Sequence, residues 1–123
     1  ICPMKKLIVL FFSCCTFASY SQLNIVPAPV KAVRGTGNFQ LSSKTVLLVT
    51  DEGDNAAANF FNDYLERFYG FRMNSAREAA SDYVKLITRK FIKPGTEGKY
   101  SMSVTTGGIT IEGDTYQGTF YGM

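Results

Sequence analysis

Hydrophobic positions follow two different periods along this chain. Between Thr45 and Thr50 the run Val46-Leu-Leu-Val49 is continuous, as expected of a strand buried on both faces. From Asp54 the period lengthens to that of a helix. Phe60, Phe61, Tyr64, Leu65 and Phe68 recur at i, i+1, i+4, i+5 and i+8, which predicts an amphipathic helix packed on a sheet. Asp54 is placed to cap its start and Gly70 to end it. Residues 75–82 are polar and irregular, and Tyr83-Val-Lys-Leu-Ile-Thr88 returns to strand. After the loop Lys93-Pro-Gly-Thr-Glu-Gly98, Tyr100, Met102 and Val104 alternate with Ser101, Ser103 and Thr105. Ile109 and Ile111 alternate in turn with Thr110 and Glu112. A two-residue turn at Gly107-Gly108 predicts a hairpin in which Val104 faces Ile111.

Two shorter strands are expected earlier, at Val30–Val33 and Asn38–Leu41, around the turn Gly35-Thr-Gly37. At the other end Asp114 or Thr115 can cap a second helix, on which Gly118 and Gly122 share one face. Those glycines predict a close approach to the sheet, and the helix is expected to run on past Met123. The order is therefore β-β-β-α-β-β-β-α. It predicts an α+β fold, a mostly antiparallel sheet with helices packed on one face.

Composition supports packing. Of 123 residues, 46% are hydrophobic and 19% charged, which excludes a disordered chain and suffices for one domain. The N-terminus changes the boundaries. Met4-Lys5-Lys6, the apolar run Leu7–Phe12 and the small residues Ser19 and Ser21 read as an export signal cleaved before Gln22. The apolar run is too short to span a bilayer, so no transmembrane anchor is expected. Residues 1–3 read as upstream sequence, which leaves 22–123 as the domain. Localisation is expected to be periplasmic or secreted. Ser13-Cys14 allows lipid attachment, against which the bulky Phe11 and Phe12 argue.

Removing that segment also removes chemistry. Cys2, Cys14 and Cys15 all precede Gln22, so the mature chain has no disulfide and no thiolate metal site. The formal charge of +3 includes Lys5 and Lys6; without them 11 basic residues face 10 acidic ones. A balance of +1 gives no footprint for nucleic acid. There is no His, hence no common general base for a serine nucleophile. Asp51, Glu52 and Asp54 cluster where a strand meets a helix, and acidic residues are favourable at a helix N-terminus. They are too few for a calcium loop. Lys85, Arg89, Lys90 and Lys93 read as a solvated edge that resists strand pairing. No catalytic, cofactor-binding or metal-ligating set is expected in this chain, and no cofactor.

Three stretches carry a resemblance. Asn24-Ile-Val-Pro-Ala-Pro29 followed by Gly37-Asn-Phe39-Gln-Leu41 resembles the opening of bacterial family 20 glycoside hydrolases, the β-N-acetylhexosaminidases. The helix ending in Tyr69-Gly-Phe71 fits the same frame. Ile111-Glu-Gly-Asp-Thr-Tyr-Gln-Gly-Thr-Phe-Tyr-Gly122 resembles the segment just before the catalytic domain of that family. The resemblance covers residues 23–123. It implies an accessory domain preceding a (β/α)₈ barrel, with that barrel as partner and a glycan as the parent's substrate. The parent would release terminal N-acetylglucosamine or N-acetylgalactosamine. The family's catalytic Asp-Glu pair belongs to the barrel, so no catalytic residue is carried over here. The chain is then expected to be a piece of the enzyme, inactive alone. A different class of reading is a stand-alone glycan-binding module using Tyr100, Tyr116 and Tyr121. A third is the accessory domain of a related glycosidase family.

Overall fold

The computed structural model describes residues 28–90, 95 and 97–123. The chain divides into two units, Ile1–Val33 and Arg34–Met123. Within the first, residues 28–33 are exposed and form neither helix nor strand, so the strand expected at Val30–Val33 is absent. The export signal expected at the N-terminus lies outside the described residues.

The second unit is a sheet with two helices. Its elements are β1 (Val46–Val49), α1 (Asn55–Tyr69), β2 (Asn74–Ala76), β3 (Tyr83–Thr88), β4 (Tyr100–Val104), β5 (Gly108–Gly113) and α2 (Tyr116–Gly122). A 3-10 turn at Glu52–Asp54 leads into α1. The sheet order is β2-β1-β3-β5-β4. β1 pairs in parallel with both β2 and β3, and β3 pairs in parallel with β5. Only β4 and β5 are antiparallel. The α+β class holds, but the expectation of a mostly antiparallel sheet is corrected to a mixed one, mainly parallel. The unexpected element is β2, whose residues Asn74-Ser-Ala76 lie in a stretch read as irregular from residue 75, while the parallel pairs β1–β3 and β3–β5 join strands that were expected. Parallel neighbours need a crossover, and α1 is that crossover between β1 and β2. The strand expected at Asn38–Leu41 does not form; Leu41 instead packs against the core.

The register places Leu47, Val49, Val84, Leu86, Ile109 and Ile111 on one face. Both helices cover that face. The core joins Leu47, Val84, Leu86 and Ile111 to Ala58 and Leu65 of α1 and to Met73. Each large apolar side chain buried there contributes roughly 1.5–3 kcal/mol. Leu48, on the opposite face, is only 6% exposed, so β1 is indeed buried on both sides.

Two details depart from the sequence reading. The hairpin closes through Thr106-Gly107, with the Thr105 amide donating to the Gly108 carbonyl at 2.9 Å. Val104 therefore faces Ile109, and Met102 faces Ile111. A slip of two residues preserves which face each side chain occupies, so the predicted alternation survives. Gly108 is needed for another reason: a Cβ there would lie 2.8 Å from the Tyr83 carbonyl oxygen. The second departure concerns α1. Its buried residues are Ala57, Ala58, Asn62 and Leu65, and Phe61 packs on the core. Phe60 (59% exposed), Tyr64 and Phe68 (62%) form the adjacent i, i+4, i+8 line and face outward. The stripe is wider than the strip of sheet that α1 covers. Small Ala57 and Ala58 let the helix sit close, and Asn62 fixes its rotation. Asn62 Nδ2 donates to the Met73 carbonyl at 3.0 Å, and the Met73 amide donates to Asn62 Oδ1 at 2.9 Å.

Candidate functional site

Parallel strands bring their carboxyl ends together, and the polar residues of this domain gather there. Asp51 follows β1, Lys90 follows β3, and Tyr116 opens α2 after β5. Lys90 takes the left-handed conformation, φ 59°, a strained choice for a lysine. Its Nζ lies 2.6 Å from Asp51 Oδ2 and 5.7 Å from the Tyr116 ring centroid. The Tyr116 hydroxyl donates to Asp51 Oδ1 at 2.6 Å, and the Gly53 amide donates to the same oxygen at 2.9 Å. The ammonium of Lys90, then the Tyr116 hydroxyl and the Gly53 amide, hold the Asp51 carboxyl well below the usual carboxylate range. Asp51 in turn raises Lys90 and Tyr116. Beside this trio lies another, in which Asp54 and Thr119 are buried and Thr88 is half-buried. Thr88 Oγ1 donates to Asp54, at 2.7 Å from Oδ1 and 3.0 Å from Oδ2. It also lies 2.6 Å from Thr119 Oγ1. Burial is the main cause that pushes the Asp54 carboxyl above its ordinary value.

The acidic cluster does stand at the strand-to-helix junction. Its members divide the work. Asp51 caps the 3-10 turn, whereas Asp54 occupies the N-cap position of α1 without making a side-chain cap. Lys85 and Arg89 correct the edge reading, because β3 is the central strand. Arg89 makes a two-pronged pair with Glu112, at 2.6 and 2.9 Å. Lys93 lies outside the described residues. Thr88 and Thr119 gave no signal as isolated threonines. Among the described residues no group of three or more His, Cys, Asp or Glu side chains is arranged to hold a metal ion. None of their helices is long and apolar enough to cross a membrane.

The larger feature is a surface. Phe60 stacks against Phe120 of α2 at 5.2 Å between ring centroids. Tyr64 contacts Phe68 at 4.7 Å, and Phe120 contacts Tyr121 at 6.4 Å. All five rings are exposed. They make one aromatic band along the outward sides of both helices. At the sheet edge Met102 and Val104, also exposed, project from β4 on the helix-covered face. Large contiguous apolar patches are a common feature of surfaces through which proteins interact. The three tyrosines read as candidates for sugar stacking each touch a neighbour in the fold and keep exposed surface. The Tyr116 ring packs on Gly53, the Tyr100 ring lies against Gly122, and the Tyr121 hydroxyl accepts from Gln117 Nε2 at 2.6 Å.

Comparison with known proteins follows this geometry. The profile of glycosyl hydrolase family 20, domain 2, matches residues 22–123. Among curated proteins, none matches the sequence. Among solved structures, the exo-β-N-acetylglucosaminidase of family 20 from Vibrio harveyi, in complex with N-acetylglucosamine, superposes with TM-score 0.66 at 18% identity. The match covers 77% of this chain and 14% of that one. An inactive D437A mutant of the Vibrio harveyi family 20 enzyme matches with TM-score 0.55 at 18% identity, over 66% of this chain and 12% of the other. A family 138 enzyme targeting pectin rhamnogalacturonan II matches with TM-score 0.51 at 13% identity, over 64% and 12%.

Proposed function

Because the chain belongs to glycosyl hydrolase family 20, as its domain 2, we propose that it is the non-catalytic accessory domain of an exported β-N-acetylhexosaminidase. The parent removes terminal N-acetylglucosamine or N-acetylgalactosamine from glycans. This domain is scaffold. The observation that carries the scaffold role is the aromatic band on α1 and α2. Its occupant is the catalytic barrel of the same polypeptide. Two points support that occupant: the chain spans only 14% of the Vibrio harveyi enzyme's length, and the band is broad, apolar and continuous across two helices. In this scheme the barrel supplies the acid and the group that orients the substrate's acetamido nucleophile, an exception to the two-carboxylate scheme. The accessory domain contributes buried area and holds the barrel's flank.

The test is to read the coding frame past Met123 and to express the whole product. We expect a downstream Asp-Glu pair and hydrolysis of a chromogenic N-acetylglucosaminide by the whole product, with no turnover by residues 22–123 alone. Phe60→Asp with Phe120→Asp should lower the melting temperature of the whole enzyme more than that of the isolated chain. Turnover by the isolated chain would overturn the scaffold reading. Retention of the chain on immobilised chitooligosaccharide would favour the glycan-binding alternative.

A further inference from the structure

Asp54 is fully buried, at 0% exposure, and the ion pairs of the described residues pass it by. Lys90, a cation whose charge acts on it, sends its ammonium to Asp51. Among the described residues, the hydrogen bond to the Asp54 side chain comes from one hydroxyl, that of Thr88. That hydroxyl meets Thr119 Oγ1, and either oxygen of the pair can be the donor. Thr119 Oγ1 also lies 3.3 Å from the carbonyl oxygens of Ile87 and Thr115. The groups form a line: carboxyl, hydroxyl, hydroxyl, backbone carbonyl. It joins the start of α1 to β3 and to α2.

Counting protons along this line gives two closed arrangements. With Asp54 ionised, Thr119 donates to Thr88 and Thr88 donates to the carboxylate. With Asp54 protonated, its O–H donates to Thr88, Thr88 donates to Thr119, and Thr119 donates to the Ile87 or Thr115 carbonyl. One proton enters, both hydroxyls rotate, and every donor still has an acceptor. The two arrangements differ in how α2 is held. The ionised form gives one hydrogen bond between Thr119 and β3. The neutral form gives two when Thr119 turns to Ile87. We propose that Asp54, Thr88 and Thr119 are a proton-reversible hydrogen-bond chain that seats α2 more firmly on the sheet when Asp54 carries its proton.

The surrounding charges fit. Burial, and the Asp51 carboxylate from the same turn, favour the neutral form, while Thr88 and the more distant Lys90 at the end of β3 oppose it. α2 presents Tyr116, which is engaged with Asp51. The first two turns of α1 present no charged residue, and Glu52 is exposed. The sign follows from linkage. A carboxyl whose native pKa is raised takes up its proton before the unfolded chain does, so stability rises as pH falls through the native value and is fully gained only below 3.8. Phe120 and Tyr121 ride on α2, so the same proton steadies that end of the aromatic band.

The experiment is an NMR titration of the 123-residue chain from about pH 8 to about pH 3, the range that brackets carboxyl ionisation. It follows the Asp54 side-chain carboxyl carbon and the backbone amides of Gly118 to Gly122. The carboxyl should titrate with a midpoint above 3.8, and the α2 amides should shift with the same midpoint. Asp54→Asn should abolish the shift in α2. Thr119→Val should leave the carboxyl titrating while the α2 shift falls by more than half. A carboxyl midpoint at or below 3.8, or an α2 step that persists in Asp54→Asn, overturns the proposal. If either variant fails to fold, the wild-type chain decides alone, because unequal midpoints overturn it and equal ones support it.

Discussion

Asn62 is the residue on which the seating of α1 turns. Its side chain satisfies both the amide and the carbonyl of Met73, inside the core. Leaving a buried backbone group unpaired costs about 1–3 kcal/mol. Asn62→Ala is therefore expected to destabilise the domain by roughly 2–4 kcal/mol, read from a denaturant melt. An effect below about 0.5 kcal/mol, the range of ordinary surface changes, would show that water replaces the side chain. Gly118 presents a contest of magnitudes. Glycine to alanine inside a helix normally stabilises by about 1 kcal/mol. Here the new Cβ would collide with the Lys99 carbonyl oxygen, and forcing extra volume into a packed site costs typically 1–3 kcal/mol. The obstacle is backbone, which cannot swing aside, so Gly118→Ala should lower the melting temperature. The close approach was legible in the spacing of Gly118 and Gly122. That Gly118 approaches the Lys99 backbone and Gly122 the Ile111 and Tyr100 side chains was not, because those residues lie in other segments of the chain.

At the scale of elements, the junction of β1, β3 and α2 sets the response to acid. Asp51 has its carboxyl held low by Lys90, Tyr116 and Gly53, so its contribution is full above the unfolded value and is lost as pH falls below 3.8. Glu112, lowered chiefly by its bond from Arg89, behaves the same way. Asp51→Asn should flatten the acid limb of the melting temperature against pH, with little change near neutrality; an unaltered limb would place the acid sensitivity elsewhere. The elements themselves were unequally legible. β1, β3, the hairpin strands and both helices announce themselves by period. β2 does not, since Asn74, Ser75 and Ala76 have neither branching nor alternation, and their strand state comes from pairing with β1. α1 stands between two strands that are legible by period, β1 and β3, and that β-α-β order is compatible with the parallel pairing the fold adopts. The polar junction was half visible, as three acidic residues. Its partners Thr88, Lys90 and Thr119 come from separate segments that only the fold assembles.

Taken whole, the domain exposes aromatic side chains on both of its helices. Phe60, Tyr64 and Phe68 belong to the stripe that predicts packing on the sheet, and a stripe's period cannot tell how much of its width the sheet covers. Exchanging Phe60 and Phe68 for serine should raise the solubility of the isolated chain, measured as monomer fraction in sedimentation. Its stability should change by no more than about 0.5 kcal/mol, as is usual for exposed positions. A collapse of the fold would instead make these rings part of the core. The arrangement of the sheet also dictates a timetable. β4 and β5 are close in sequence and can pair early, whereas Thr45 and Asp82, which meet beside the β1–β3 ladder, are 37 residues apart. Closing that span costs chain entropy before any contact repays it. The hairpin should therefore be formed in the folding transition state, and the β1–β3 ladder should be completed around it. In stopped-flow refolding, Ile109→Val would slow folding, while Leu47→Ala would chiefly speed unfolding.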